Sequence, residues 1–117
     1  MRAHLVQWQW SDYGMKHRNR ANLLLHIIAV PMFDAALLIA IYTLIRGEFA
    51  LAGVAFAAMI FSMAAQGRGH KGEKNSPAPF EGPLDFPARF LAEQWITFPR
   101  FVLCGGWYGN LKRADPE

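Results

Sequence analysis

Hydrophobic positions along the chain fall into two long blocks separated by a short polar turn. From Leu23 to Ile45 the run is apolar except at His26, Asp34 and Thr43. Arg46, Gly47 and Glu48 form the turn, and Phe49 to Ala65 is a second, uncharged run of seventeen residues. At ~1.5 Å of rise per residue, the first block reaches across a ~30 Å hydrocarbon layer. The second is near the lower limit for spanning, which leaves a thin or re-entrant hairpin open. Pro31 has no N–H to donate and should kink the first block. The pattern predicts an all-α fold, an integral membrane helical hairpin with flanking interfacial helices. Residues 1–117 then make a single membrane domain, with 1–18 an interfacial segment and 22–45 and 49–66 the transmembrane hairpin. Residues 67–85 form a motif loop and 86–104 an amphipathic helix.

The flanks support this division. Residues 1–18 mix Leu5, Val6, Trp8, Trp10 and Tyr13 with Arg2, Asp12 and Lys16. Tryptophan and tyrosine prefer the headgroup region, where a ring can be half wet. No apolar stretch precedes a small-residue cleavage site, so the N-terminus does not read as a cleavable signal. Between 66 and 85, seven glycines and prolines (Gly67, Gly69, Gly72, Pro77, Pro79, Gly82, Pro83) predict an ordered loop. Beyond it Phe90, Trp95, Phe98 and Phe101 offer a wide apolar face, although Pro99 argues against a straight helix.

Composition and charge narrow the class. Hydrophobic residues make up 53% of the 117 and charged residues only 18%, a high apolar share for so short a soluble chain. The net charge is +3, but the basic residues flank apolar runs instead of forming a groove-filling segment, which excludes a nucleic-acid binder. Four Lys and Arg precede the first block, one lies in the turn and seven follow the second block. The positive-inside rule then places both termini in the cytoplasm. The single cysteine, Cys104, excludes an internal disulfide and a cysteine-rich zinc site.

Two polar constellations flank the hairpin. In the first, residues 13–26, Asn19, Asn22 and His26 stack on one helix face. His17 would point away from His26 on a straight helix, so the two converge only if the chain breaks between them. Asn19 is a suitable N-cap for a helix starting there. In the second, residues 66–80, Gln66, His70 and Glu73 follow one another at spacings of four and three, and the glycines let backbone pack closely. A hairpin brings these segments to one membrane face, where His17, His26, His70 and Glu73 can meet. Histidine and carboxylate ligands with open positions suit non-haem Fe(II), with zinc, copper and manganese not excluded. His26 alone reads equally well as a hydrogen-bonding partner between helices. His4 reads as a surface or interfacial residue. Glu93 with Gln94 reads as interfacial or as support for other residues, and not as a metal ligand. Asp34, costly in lipid, is either a support for the site or a protonated, helix-bonded acid.

These constellations resemble the membrane 2-hydroxy fatty acid dioxygenase family, named for the fungal protein that metabolises phytosphingosine to odd-numbered fatty acids. Tyr13, His17, Asn19, Asn22, His26 and Pro31 match its first motif in order and spacing, and Gln66, Gly69, His70, Glu73, Pro77 and Ala78 resemble its second. The family usually has three residues between that histidine and glutamate, whereas here Lys71 and Gly72 make two. Its fungal members are longer, so this chain looks like a short, bacterial-type member. The resemblance implies an Fe(II) cofactor held by His17, His26 and His70, with Glu73, Asn22 and Gln66 in catalytic roles. It implies that a long-chain 2-hydroxy fatty acid and O2 give carbon dioxide and an acid one carbon shorter, the α-oxidation step. The substrate's hydroxyl and carboxylate would chelate the iron, and Arg68 or Lys71 could pair with the carboxylate. Alternatives are a haem-binding electron-transfer protein ligated by His26 and His70, and a non-catalytic membrane scaffold. Partners other than substrate and membrane lipid reduce to a second copy of the chain, since a hairpin this small leaves polar faces to cover.

Overall fold

The computed structural model describes residues 3–114, and among these there is no strand. Two long antiparallel helices, α2 (Arg20–Ile45) and α3 (Phe49–His70), form the frame. Both are long and apolar enough to cross a membrane. They are hydrophobic on nearly every side, as helices surrounded by lipid are. Among them Ile45, Phe49, Val54 and Phe61 are each at least 69% exposed except Val54 at 68%, which leaves apolar rings and branches facing outward along the hairpin. Where the helices touch, the side chains are small. Ala36, Ala40, Ala52 and Ala55 are buried, which lets the two backbones approach closely without a hydrophobic force between them.

Helix α2 starts as its sequence predicts. The Asn19 side chain accepts the backbone N–H of Asn22 at 2.9 Å, satisfying one of the free donors of the first turn. The helix continues through Pro31. The hydroxyl of Ser62, fully buried on α3, donates to the Ala29 carbonyl at 2.6 Å. Helix α3 runs on to His70, into the segment expected to be loop. Gly69 is required inside it, because a Cβ there would collide with the side-chain amide of Asn22 on α2.

Short elements wrap the open end of the hairpin. Helix α1 (Leu5–Ser11) and a 3₁₀ turn (Gly14–Lys16) precede α2. After the loop come α4 (Asp85–Ala92), a π turn (Glu93–Thr97), α5 (Phe98–Leu103) and α6 (Gly106–Arg113). The expected single helix over 86–104 is therefore interrupted. In the π turn the Phe98 N–H reaches back to the Glu93 carbonyl, and Pro99 follows without an N–H of its own. Tyr13, Leu23, Val30, Phe98 and Phe101 form the core of this wrapped end. The Trp107 indole N–H donates to the Leu23 carbonyl at 2.8 Å and fastens α6 over the start of α2.

Candidate metal centre

His17 follows the 3₁₀ turn, His26 lies two turns into α2, His70 ends α3 and Glu93 opens the π turn. One donor atom from each falls within 4.8 Å of all the others. The Glu93 carboxylate oxygen Oε2 is 3.4 Å from His17 Nε2 and 3.8 Å from His26 Nε2. Two atoms each ~2.1 Å from one ion are at most ~4.2 Å apart, so the cluster needs to contract by only some tenths of an ångström to share a metal.

The protonation pattern favours metal over mutual hydrogen bonding. His17 Nδ1 donates to the Tyr13 carbonyl at 2.8 Å, and His26 Nδ1 donates to the Asn22 carbonyl at 3.0 Å. A carbonyl only accepts, so Nδ1 carries the proton in both rings and Nε2 presents a lone pair. His17 Nε2, His26 Nε2 and His70 Nδ1 are all buried without a hydrogen-bond partner. Buried polar atoms left this way are uncommon, and three in one cluster mark a place for an ion.

Glu93 supplies the charge. Burial raises its carboxyl pKa, but the adjoining His17, His26 and His70 rings, when they carry a second proton, outweigh it and hold the group at about 2. Oε2 also accepts the Tyr13 hydroxyl at 2.7 Å. The Tyr13 ring stacks on His17, with centroids 3.8 Å apart, and its phenol is pushed well above its ordinary value by burial and then by Glu93. Tyr13 thus stays protonated, stacks on His17 and donates to Glu93.

The remaining residues singled out in the sequence surround this cluster. Glu73 is outside it. Its Oε1 accepts the backbone N–H groups of Arg18 and Asn19 at 2.8 and 3.0 Å, and its Oε2 accepts the Asn22 side-chain N–H at 2.7 Å. It ties the loop after α3 to the chain break between His17 and α2. Gln66 exchanges two amide hydrogen bonds with Gln94, at 2.9 and 2.7 Å, both side chains being buried. That pair clamps α3 to the π turn beside Glu93. Asn22 carries the His26 bond on its backbone and the Glu73 bond on its side chain. His4 is exposed and remote. Asp34 is partly exposed on α2, outside the cluster, with one oxygen buried and unpaired. Arg68 and Lys71 are exposed and do not line the adjoining cavity, whereas Lys16 and Arg89 do.

Glu93 is the residue that sequence spacing missed. It belongs to neither motif and reaches the histidines only through the fold. The available signals were an ionisable residue beside Gln94 in an otherwise aromatic helix, and Pro99 downstream, which forces the backbone to rearrange.

A cavity of about 310 Å³ ends on this cluster, touching His17, His70 and Glu93. Trp8, Phe80, Phe86 and Phe90 supply aromatic wall. His26 is fully buried and is not part of the cavity wall.

Fold and site together define a small helical-hairpin protein with a histidine–carboxylate centre able to hold a metal ion. The chain belongs to the 2-hydroxy-palmitic acid dioxygenase Mpo1-like family, which it matches over residues 3–102. No curated protein and no solved structure matches it.

Proposed function

We propose that the protein is a non-haem Fe(II) dioxygenase of long-chain 2-hydroxy fatty acids. The reaction is R–CHOH–COOH + O2 → R–COOH + CO2 + H2O, in which the C1–C2 bond breaks and C2 is oxidised to the new carboxyl. The observation that carries this reading is the set of three unpartnered histidine nitrogens facing one carboxylate at the end of an aromatic-walled cavity. His17, His26, His70 and Glu93 would hold the ion. Iron held there would activate O2 beside the C1–C2 bond, and the substrate itself would supply the four electrons that O2 takes up.

The chain's own groups divide the remaining work. The Tyr13 and Asn22 carbonyls fix the tautomers of His17 and His26. The Tyr13 hydroxyl donates to Glu93 and holds that carboxylate in place. Glu73, Asn22 and Gln66 act through the ligands as positioning residues: Glu73 and Asn22 hold the break between His17 and His26, and Gln66 holds Glu93. The aromatic wall excludes water from the reacting end.

Two helices long enough to span support a membrane location. The basic residues at the open end of the hairpin support a cytoplasmic site with both termini on that side, as in a bacterial inner membrane. All four ligands come from one chain, so the centre needs no second copy.

The haem reading fits less well. The His26 and His70 ring centroids are 4.9 Å apart, and His17 lies 5.3 and 4.8 Å from them. Three rings gathered about one point leave no slot for a flat macrocycle. A pure scaffold would pair its buried nitrogens.

The test uses detergent-purified, iron-loaded protein and a 2-hydroxy fatty acid labelled at C1. Labelled carbon dioxide and the shortened acid are expected, with neither formed under anaerobic or chelated conditions. Absence of labelled carbon dioxide across several chain lengths would refute the assignment.

A further inference from the structure

The cavity's polar wall groups are nearly all engaged. Gln9 donates to the Arg89 carbonyl at 3.0 Å and accepts from Thr97, and Lys16 pairs with Asp12 at 3.1 Å. Gln66 is bonded to Gln94, and the Arg89 guanidinium donates to the Ala78 carbonyl at 2.9 Å while lying over the Phe80 ring. A ligand's polar end therefore finds its free partners at the metal cluster, and the rest of the cavity offers it apolar surface: Trp8, Met63, Pro77, Phe80, Phe86 and Phe90.

One edge of this cavity continues the outward face of a hairpin helix. Gly67 lines the cavity and is exposed, and a Cβ added to it would meet nothing within 4 Å. It lies on α3 in line with exposed Ile60 and Ala64, at i, i+4 and i+7, so the face that meets lipid leads directly to the rim. On α4, Phe86 also lines the cavity and is 42% exposed, stacked on Phe90 at 6.1 Å. A cavity of about 310 Å³ is at the small end of ligand pockets, too small to enclose a long acyl chain whole.

We infer that the gap between α3 and α4, edged by Gly67 and Phe86, is a lateral opening through which the acyl tail of the substrate enters from the bilayer and out of which its far end projects during turnover. This rests on the 2-hydroxy fatty acid reading above. The carboxyl end lies on the cluster, the first part of the tail lies against Met63 and Phe90, and the remainder stays in lipid. Gly67 serves as the sill, because any large side chain there stands in the gap.

The test is photolabelling in phosphatidylcholine vesicles, using iron-loaded protein and a 2-hydroxyhexadecanoic acid bearing a mid-chain diazirine. Peptide mapping should find label on Met63, Phe86 or Phe90. Gly67→Trp should cut that labelling roughly tenfold while iron content stays at the wild-type level. Gly53→Trp, at a site on the same helix where an added Cβ also meets nothing, should label as the wild type does. Full labelling in Gly67→Trp, or label confined to residues outside the cavity, would overturn the opening. Carbon dioxide release from the C1-labelled acid, measured alongside, separates the two claims. Label at the rim without carbon dioxide sinks the dioxygenase and keeps the lipid opening. Unimpaired carbon dioxide release from the long-chain acid by Gly67→Trp keeps the dioxygenase and sinks the opening.

Discussion

At the turn end of the hairpin the buried positions are Ala36, Ala40, Ala52 and Ala55, with Thr43 bonded to its own helix. At the open end an apolar core of Tyr13, Leu23, Phe98 and Phe101 is joined by buried polar residues: His17, Asn22, His26, Ser62, Gln66, Glu73, Asp85, Gln94 and Thr97. The same two helices thus pair through alanine at one end and through a polar network at the other. Alanine contacts suffice where lipid covers the outer faces, because nothing polar has to be hidden. Histidines and carboxylates can be buried only where other protein surrounds them, and α1, α4, α5, α6 and the π turn provide that cover. The chemistry is concentrated where the chain can build a second layer.

The contrast is broken most severely at the ligands. His17→Ala, His26→Ala and His70→Ala should each abolish turnover and lower bound iron about tenfold or more, whereas exposed His4→Ala should change neither. Iron content by elemental analysis of each purified variant checks this. Glu93→Gln keeps the shape and removes the charge. It should weaken iron binding by roughly 10- to 100-fold, read by competition with a calibrated chelator.

Supporting residues should show smaller effects, on stability before chemistry. Glu73→Gln replaces one of three accepting contacts with a competing donor, and Gln66→Leu leaves the buried Gln94 amide unpaired. Each should cost about 1–3 kcal/mol in a detergent unfolding titration, with iron still bound in the folded fraction. Loss of iron from Glu73→Gln without loss of stability would instead make Glu73 a ligand. At the turn end, lipid-facing Leu44→Ala should move stability by no more than about 0.5 kcal/mol and leave iron and turnover unchanged. A large effect there would mean that this face packs against protein.

The turn end was legible in the sequence because its signal is local: an uninterrupted apolar run declares a lipid-facing helix whatever it packs against. The convergence of His17, His26 and His70 was legible because a hairpin necessarily brings its two ends together, and Asn19 marks the break that turns His17 back. Helix α3 outran its expected end because glycine was read as a helix breaker, whereas Gly69 is the residue that lets Asn22 fit against the helix. Glu93 was hidden for a different reason. Its place in the cluster depends on the register of the π turn and on the Gln66–Gln94 clamp, and neither leaves a periodic trace. Glu73 carried the more conspicuous motif position, yet its oxygens are spent on Arg18, Asn19 and Asn22.

The central claim is that three histidines and Glu93 surround one metal ion, and X-ray absorption at the iron edge tests it most directly. In anaerobically loaded wild-type protein the extended fine structure should contain the multiple-scattering signature of three imidazoles together with oxygen ligation. In the Glu93→Gln variant the imidazole signature should persist while the oxygen shell changes. A wild-type spectrum with no more than one imidazole, or one unaltered by substitution at His17, His26 and His70, would contradict the account.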